Sequence, residues 1–299
     1  MEVLSLQPAS SGMRWGSEST APATSTAMLG ASVSPSNVST ESRKVRLSDR
    51  ELLHCVQRVS VPDEPVDLHG ISSRHGWKHV RVGVSGDMKM YFKAQAQHCQ
   101  VLVGGEIRAQ VSELLSLLRA STESESNALM QALFGSQFIY SSLVHAVAFS
   151  ERGSLESAMS RGSVIAAAST GQQLMVRTAS FARSPVANPF KCRSLTPTKN
   201  DQICYVELLT PTQEGFRIVY CSIDQADITT GKAPPDNAIT LHPLTGWLTV
   251  EPTRSDPEKL RFTFQAVFDG TEADICDIQV AQARLRFIGK GVCRIEKLS

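Results

Sequence analysis

The chain has 299 residues, 41% of them hydrophobic and 20% charged, with a formal net charge of +1. This is enough for one large globular domain or two small ones. The balanced charge excludes a global field for nucleic acid or an anionic membrane, and no basic block exceeds Arg43-Lys44-x-Arg46.

In chain order, residues 1–44 are rich in Ser, Thr, Ala and Pro and follow neither the helical nor the strand period. A disordered tail is expected there. The start Met-Glu-Val-Leu-Ser-Leu-Gln-Pro lacks a basic region followed by an apolar one, and no run reaches the ~18 apolar residues of a membrane span, so a cytoplasmic protein is expected. Asn37-Val38-Ser39 has the form of a glycosylation sequon, but nothing else in the chain points to secretion.

Order is expected from Leu47-Ser48-Asp49-Arg50-Glu51-Leu52, where Ser48 and Glu51 have capping-box spacing and Leu47 and Leu52 occupy staple positions. Three short strands follow, at about 77–84, 88–94 and 100–103. Ile107, Val111, Leu114, Leu115 and Leu118 then fit one helix face, and Thr122 with Glu125 predicts a second helix closed by Gly135. Strand patterns occupy 138–149, 173–181, 203–209, 216–223, 246–251 and 260–268, with loops at 150–171 and around 184–189.

The ending is the clearest part. Phe262, Phe264, Ala266 and Phe268 share one face of a strand, with Arg261, Thr263 and Gln265 on the other. From Glu272 towards Lys297 the apolar spacing changes to three and four through Ile275, Ile278, Ala281, Leu285, Ile288, Val292 and Ile295. A second row of Cys276, Val280, Ala283 and Phe287 widens that stripe, while Asp274, Asp277, Arg284, Arg286 and Lys290 mark the expected wet side. With no alternating strand-helix rhythm, the fold class is α+β with an antiparallel sheet.

Several segments carry a resemblance: Leu47-Ser-Asp-Arg-Glu-Leu-Leu, Trp77-Lys-His-Val-Arg-Val-Gly-Val, Val101-Leu-Val-Gly-Gly-Glu-Ile and Asp201-Gln-Ile-Cys-Tyr-Val-Glu-Leu. With the element order, they resemble the START lipid-transfer family, and within it the divergent group often found beside a FYVE-type zinc finger. The finger itself has no counterpart here, because Cys-x-x-Cys pairs are lacking. The resemblance implies a helix-grip fold over residues 45–299, a curved antiparallel sheet wrapped around the C-terminal helix. It also implies non-enzymatic binding or transfer of an amphipathic lipid between sheet and helix, with transient membrane contact and no cofactor. Each buried CH₂ contributes ~0.8 kcal/mol, so an acyl chain of about 16 carbons gains on the order of 10 kcal/mol before ordering costs. The expected lining is Val206, Leu208, Arg217, Val219, Phe262, Phe264, Phe268, Ile278, Leu285 and Ile288. Arg217 is the candidate head-group contact, against the alternative reading of a surface or structurally paired arginine; Glu207, of opposite parity to Val206 and Leu208, is expected to face water. Gly289 and Gly291 permit close approach to the sheet or a bend. Two other readings stay open: a cavity-less interaction module, and a hydrolase or cyclase of the same superfamily.

Metal and catalytic chemistry find little support. His75 and His79 have i,i+4 spacing, but Gly76 and the following strand argue against a helix. His98 and Cys99 are adjacent in a strand and so point to opposite faces. The seven cysteines, Cys55, Cys99, Cys192, Cys204, Cys221, Cys276 and Cys293, read as reduced and mostly buried thiols. No nucleophile elbow, P-loop or dinucleotide fingerprint occurs. Nothing in the sequence assigns the tail a protein partner.

Overall fold

A computed structural model describes residues 44–62, 64, 66–68, 70–71, 75–83, 86–149, 171–183, 199–253, 256–270 and 275–298. The expected tail up to residue 43, most of the 150–171 loop, the irregular stretch near 184–189 and the expected helix start at Glu272 lie outside these residues.

Helix α1 spans Asp49–Gln57 and closes its capping box as the spacing predicts: Glu51 N donates to Ser48 Oγ at 3.3 Å, and Ser48 N to Glu51 Oε2 at 2.7 Å. Strands β1 (Lys78–Val80), β2 (Lys89–Ala94) and β3 (His98–Arg108) follow. The third strand is much longer than expected and carries Ile107, which the helical pattern had claimed. Gly104 and Gly105 lie inside the strand, since a Cβ on Gly104 would stand 2.6 Å from Leu68 Cδ1 and one on Gly105 2.8 Å from the Asp87 carbonyl oxygen. Helices α2 (Val111–Arg119) and α3 (Glu123–Phe134) come next, α3 having the expected Thr122–Glu125 box and Gly135 at its end with φ 62°.

The remaining strands are β4 (Phe138–Ala148), β5 (Gln173–Phe181), β6 (Asn200–Pro211), β7 (Phe216–Ser222), β8 (Ala238–Thr240), β9 (Leu244–Thr253) and β10 (Asp256–Asp269), before α4 at Ile275–Val292. The sheet is a curved, ten-stranded one of order β1-β2-β3-β10-β9-β7-β6-β5-β4. Its neighbours along this path are antiparallel, while β8, a three-residue strand that the pattern missed, pairs parallel with the start of β6. Sheet and terminal helix make the α+β helix-grip arrangement.

The β4 edge is sealed by α3. Asn127 accepts from Ser141 N through Oδ1 at 2.9 Å and donates through Nδ2 to the Ser141 carbonyl at 2.7 Å, while Glu123 accepts from Leu143 N at 3.0 Å. These side chains occupy backbone groups that would otherwise template another strand.

Both faces of the sheet are covered. The outer face, under α1, buries Leu52, Leu53 and Val56 against Leu174, Val176, Cys204, Val206, Leu208, Val219 and Trp247. The inner face lies under α2, α3 and α4 and buries the larger core, including Met90, Val101, Phe181, Phe262 and Phe268. Along β6 the alternation is strict: 204, 206 and 208 outward, 203 and 209 inward.

Candidate functional site: an inner cavity with a buried ion pair

A cavity of about 160 Å³ lies against the inner face of β5, β6, β7, β9 and β10. The sheet supplies Ala179, Phe181, Ile203, Tyr205, Tyr220, Leu244, Leu248, Phe262, Phe264 and Ala266. The corner of α2 and α3 supplies Leu118, Ala120, Ser126, Leu129, Met130, Leu133 and Phe134, and the end of the chain adds Ile288, Val292 and Ile295. Gly246 adds no side chain to this wall; a Cβ there would stand 2.6 Å from the Gln265 carbonyl oxygen.

Two charged residues stand in this apolar lining, Arg177 on β5 and Glu207 on β6. Arg177 Nε donates to Glu207 Oε1 at 2.7 Å, with the two side chains only 3% and 11% exposed. Arg177 Nη2 donates to the carbonyl of Ala120, the residue that ends α2, and lies 3.0 Å from Met175 Sδ. Nη1 is buried without a hydrogen-bond partner. Burial disfavours the charge on Arg177, yet the Glu207 carboxylate beside it holds its pKa above the ordinary value. Burial also lifts Glu207, against the pull of Arg177, and keeps the hydroxyls of Tyr205 and Tyr220 firmly protonated. The polar end of the cavity is therefore internally neutral, and the two N–H groups of the buried Nη1 have no hydrogen-bond partner.

Beside the cavity, α4 is fixed to the sheet by a second buried cluster. Arg284 Nε and Nη2 donate to Asp201 Oδ2 at 3.0 and 2.8 Å, Nη2 also reaches the Ala182 carbonyl, and Arg183 takes Asp201 Oδ1 at 2.8 Å. Arg284 lies over the rings of Phe181 and Phe287 at 4.7 and 5.0 Å. Arg284 was expected on the wet side and is 4% exposed. A carboxylate on β6 and two aromatic faces give this cation partners that a helical wheel cannot show. Ala283, placed in the apolar row, is exposed.

Of the expected lining residues, Phe262, Phe264 and Ile288 border the cavity. Phe268, Ile278 and Leu285 are buried in the inner core but do not border it: the middle of α4 packs on β2, β3 and β10, and only its end reaches the space. Val206, Leu208 and Val219 face outward under α1, and Arg217 shares the Val219 parity on that face, half-buried. Glu207, expected in water, points inward. The alternation was sound but its sign was reversed, because both faces of β6 are covered and apolar residues exist on each. Gly289 and Gly291 do not interrupt α4. They allow close contact on two sides, since a Cβ would meet Val101 Cγ2 at 2.5 Å from Gly289 and Phe134 Cε1 at 2.2 Å from Gly291. Arg177 was missed, although a lone arginine sharing parity with Met175, Ala179 and Phe181 was the available signal.

Other chemistry is sparse among the described residues. No group of three or more metal-ligating side chains converges. His79 packs edge-on against Tyr91, and His98 pairs with Asp269 at 2.9 Å. The free thiols Cys99, Cys204 and Cys293 are pushed up to about 12 by burial and Cys221 to about 11, well above reactive thiols. No described helix is long and apolar enough to cross a membrane.

No protein-family model matches the chain, and neither does any curated protein sequence. Among solved structures, it is similar to the STAR-related lipid transfer protein from Xanthomonas axonopodis, at 11% identity over 74% of this chain and 97% of that one, with TM-score 0.47. It is also similar to human StAR-related lipid transfer protein 5, at 9% identity over 74% and 85% with TM-score 0.43. Human STARD10 aligns at 13% identity over 80% and 83% of the two chains with TM-score 0.39.

Proposed function

We propose that this domain binds an amphipathic lipid without chemical conversion, its apolar part in the inner cavity and its polar group at the Arg177–Glu207 pair. The observation that carries this reading is an apolar space of about 160 Å³ whose polar residues include one buried ion pair with an unpartnered Arg177 Nη1. An apolar cavity of this order stays dry and takes up small apolar molecules. A ligand oxygen accepting from Nη1 would satisfy a buried donor that is otherwise costly to leave unmade. Arg177 and Glu207 cancel each other, so an uncharged polar group fits better than one bringing another buried charge.

Native mass spectrometry of the purified chain, followed by lipid extraction, tests the reading. Ala179→Leu, which extends an inner-face side chain into the cavity, should abolish the bound mass while leaving the folded state intact by circular dichroism. An empty wild-type protein after exposure to sterol, phospholipid and sphingolipid panels would sink it.

A further inference from the structure

We infer that ligand enters through the corner between α2 and α3, with Arg177 as the latch of that corner; this deepens the lipid reading and rests on it. Pockets that enclose drug-sized ligands hold roughly 300–1,000 Å³, against about 160 Å³ here. A lipid tail therefore needs one wall to move. Two walls are fixed. The strands are tied by continuous backbone ladders, and α4 is held to the sheet by Asp201 from β6 and by the close seating of Gly289 on Val101 and Met90.

The third wall is the weak one. Of the nine residues of α2 only Leu114 is buried, while Leu115, Leu117 and Leu118 are half-buried. The helix ends at Ala120 with φ 36°, the one non-glycine residue in the left-handed region among those described. Two side-chain bonds retain this end: Arg177 Nη2 to the Ala120 carbonyl, and Arg119 Nε to Gln173 Oε1 at 2.8 Å. One guanidinium thus touches Glu207 inside the cavity and the end of α2 at its wall, and its unpartnered Nη1 would be the donor for an oxygen a ligand brings. Filling Nη1 fixes the guanidinium plane, and the fixed plane holds Ala120. Occupancy and closure are coupled through a single planar group.

The test uses the full chain with NBD-labelled cholesterol, ceramide and phosphatidylcholine as probes. Arg119→Ala breaks the outer tie without altering a cavity residue. Association and dissociation of a bound probe should both accelerate roughly fivefold to tenfold, the equivalent of one hydrogen bond, with Kd nearly unchanged. Arg177→Lys keeps the charge but loses the fork, so probe binding should no longer slow hydrogen exchange of residues 111–120. Unchanged rates in Arg119→Ala, or acceleration by Asp201→Asn alone, would overturn the corner as the entrance and assign it to α4. Failure of every probe to bind the wild-type chain would instead remove the lipid reading itself, and the gate with it.

Discussion

Arg177 and Glu207 meet at 2.7 Å across β5 and β6, and the same guanidinium holds the carbonyl of Ala120 at the end of α2. Three elements therefore converge on one cation in a low-dielectric space, where a charge without its partner is expensive.

Removing the carboxylate should expose that cost. Glu207→Ala leaves Arg177 buried and uncompensated and is expected to destabilise the domain by about 3–5 kcal/mol. Replacing both residues together, as in Arg177→Met with Glu207→Leu, should recover most of this loss because neither charge is then stranded. Urea unfolding of the three variants measures it. A double variant as unstable as Glu207→Ala would show that shape, not charge compensation, makes the pair matter.

The pH dependence follows from the direction of the Glu207 shift. Burial raises its folded pKa above the ordinary value, so the folded state binds this proton more tightly than the unfolded chain, whose Glu titrates near about 4.3. Its contribution favours the folded state at low pH and declines as pH rises from that unfolded value through the raised folded one. Glu207→Gln removes the titration. Between about pH 4 and the raised pKa the variant should therefore show a smaller fall in stability with increasing pH than the wild type. Parallel stability-pH curves for the two proteins would contradict the assignment.

The two faces of the sheet should separate stability from binding. Leu208→Ala lies under α1 and is expected to cost about 2–5 kcal/mol in stability with no change in ligand affinity. Phe264→Ala, on the cavity wall, should weaken binding by about tenfold, or ~1.4 kcal/mol. Thermal unfolding and probe titration of both variants check this. Loss of affinity in a stably folded Leu208→Ala protein would argue that the ligand lies on the outer face.

Much of the architecture was legible because local signals there were strong. Ser48 with Glu51 and Thr122 with Glu125 announced two helix starts, and the change of period after Phe268 announced the last helix. What was not legible depended on pairing across the fold. Gly104 and Gly105 looked like a strand end, yet they continue β3 because Leu68 and Asp87 crowd the places their side chains would occupy. Period two gives the two sides of β6 but not which one is inner, and with α1 covering the outer face, Val206 and Leu208 carry the same apolar signature as a cavity wall. Arg284 looked solvent-facing because its carboxylate partner, Asp201, is 83 residues away in sequence.

That distant partner supplies the last prediction. Asp201 is 3% exposed and accepts from Arg183 on one oxygen and Arg284 on the other, so its removal strands two cations, one of them deeply buried. Burial draws the Arg284 pKa below its ordinary value despite the pull of Asp201, so loss of the carboxylate would leave burial unopposed there. Asp201→Ala should destabilise the chain by about 3–5 kcal/mol, and Asp201→Asn by less, because its amide oxygen can still accept one of the bonds. Since Arg284 is the charged anchor of α4, hydrogen exchange in residues 278–292 should rise more than in β5 or β6 for the asparagine variant. Uniform acceleration across the sheet would instead mean that the cluster sustains the whole core and not the seat of this helix.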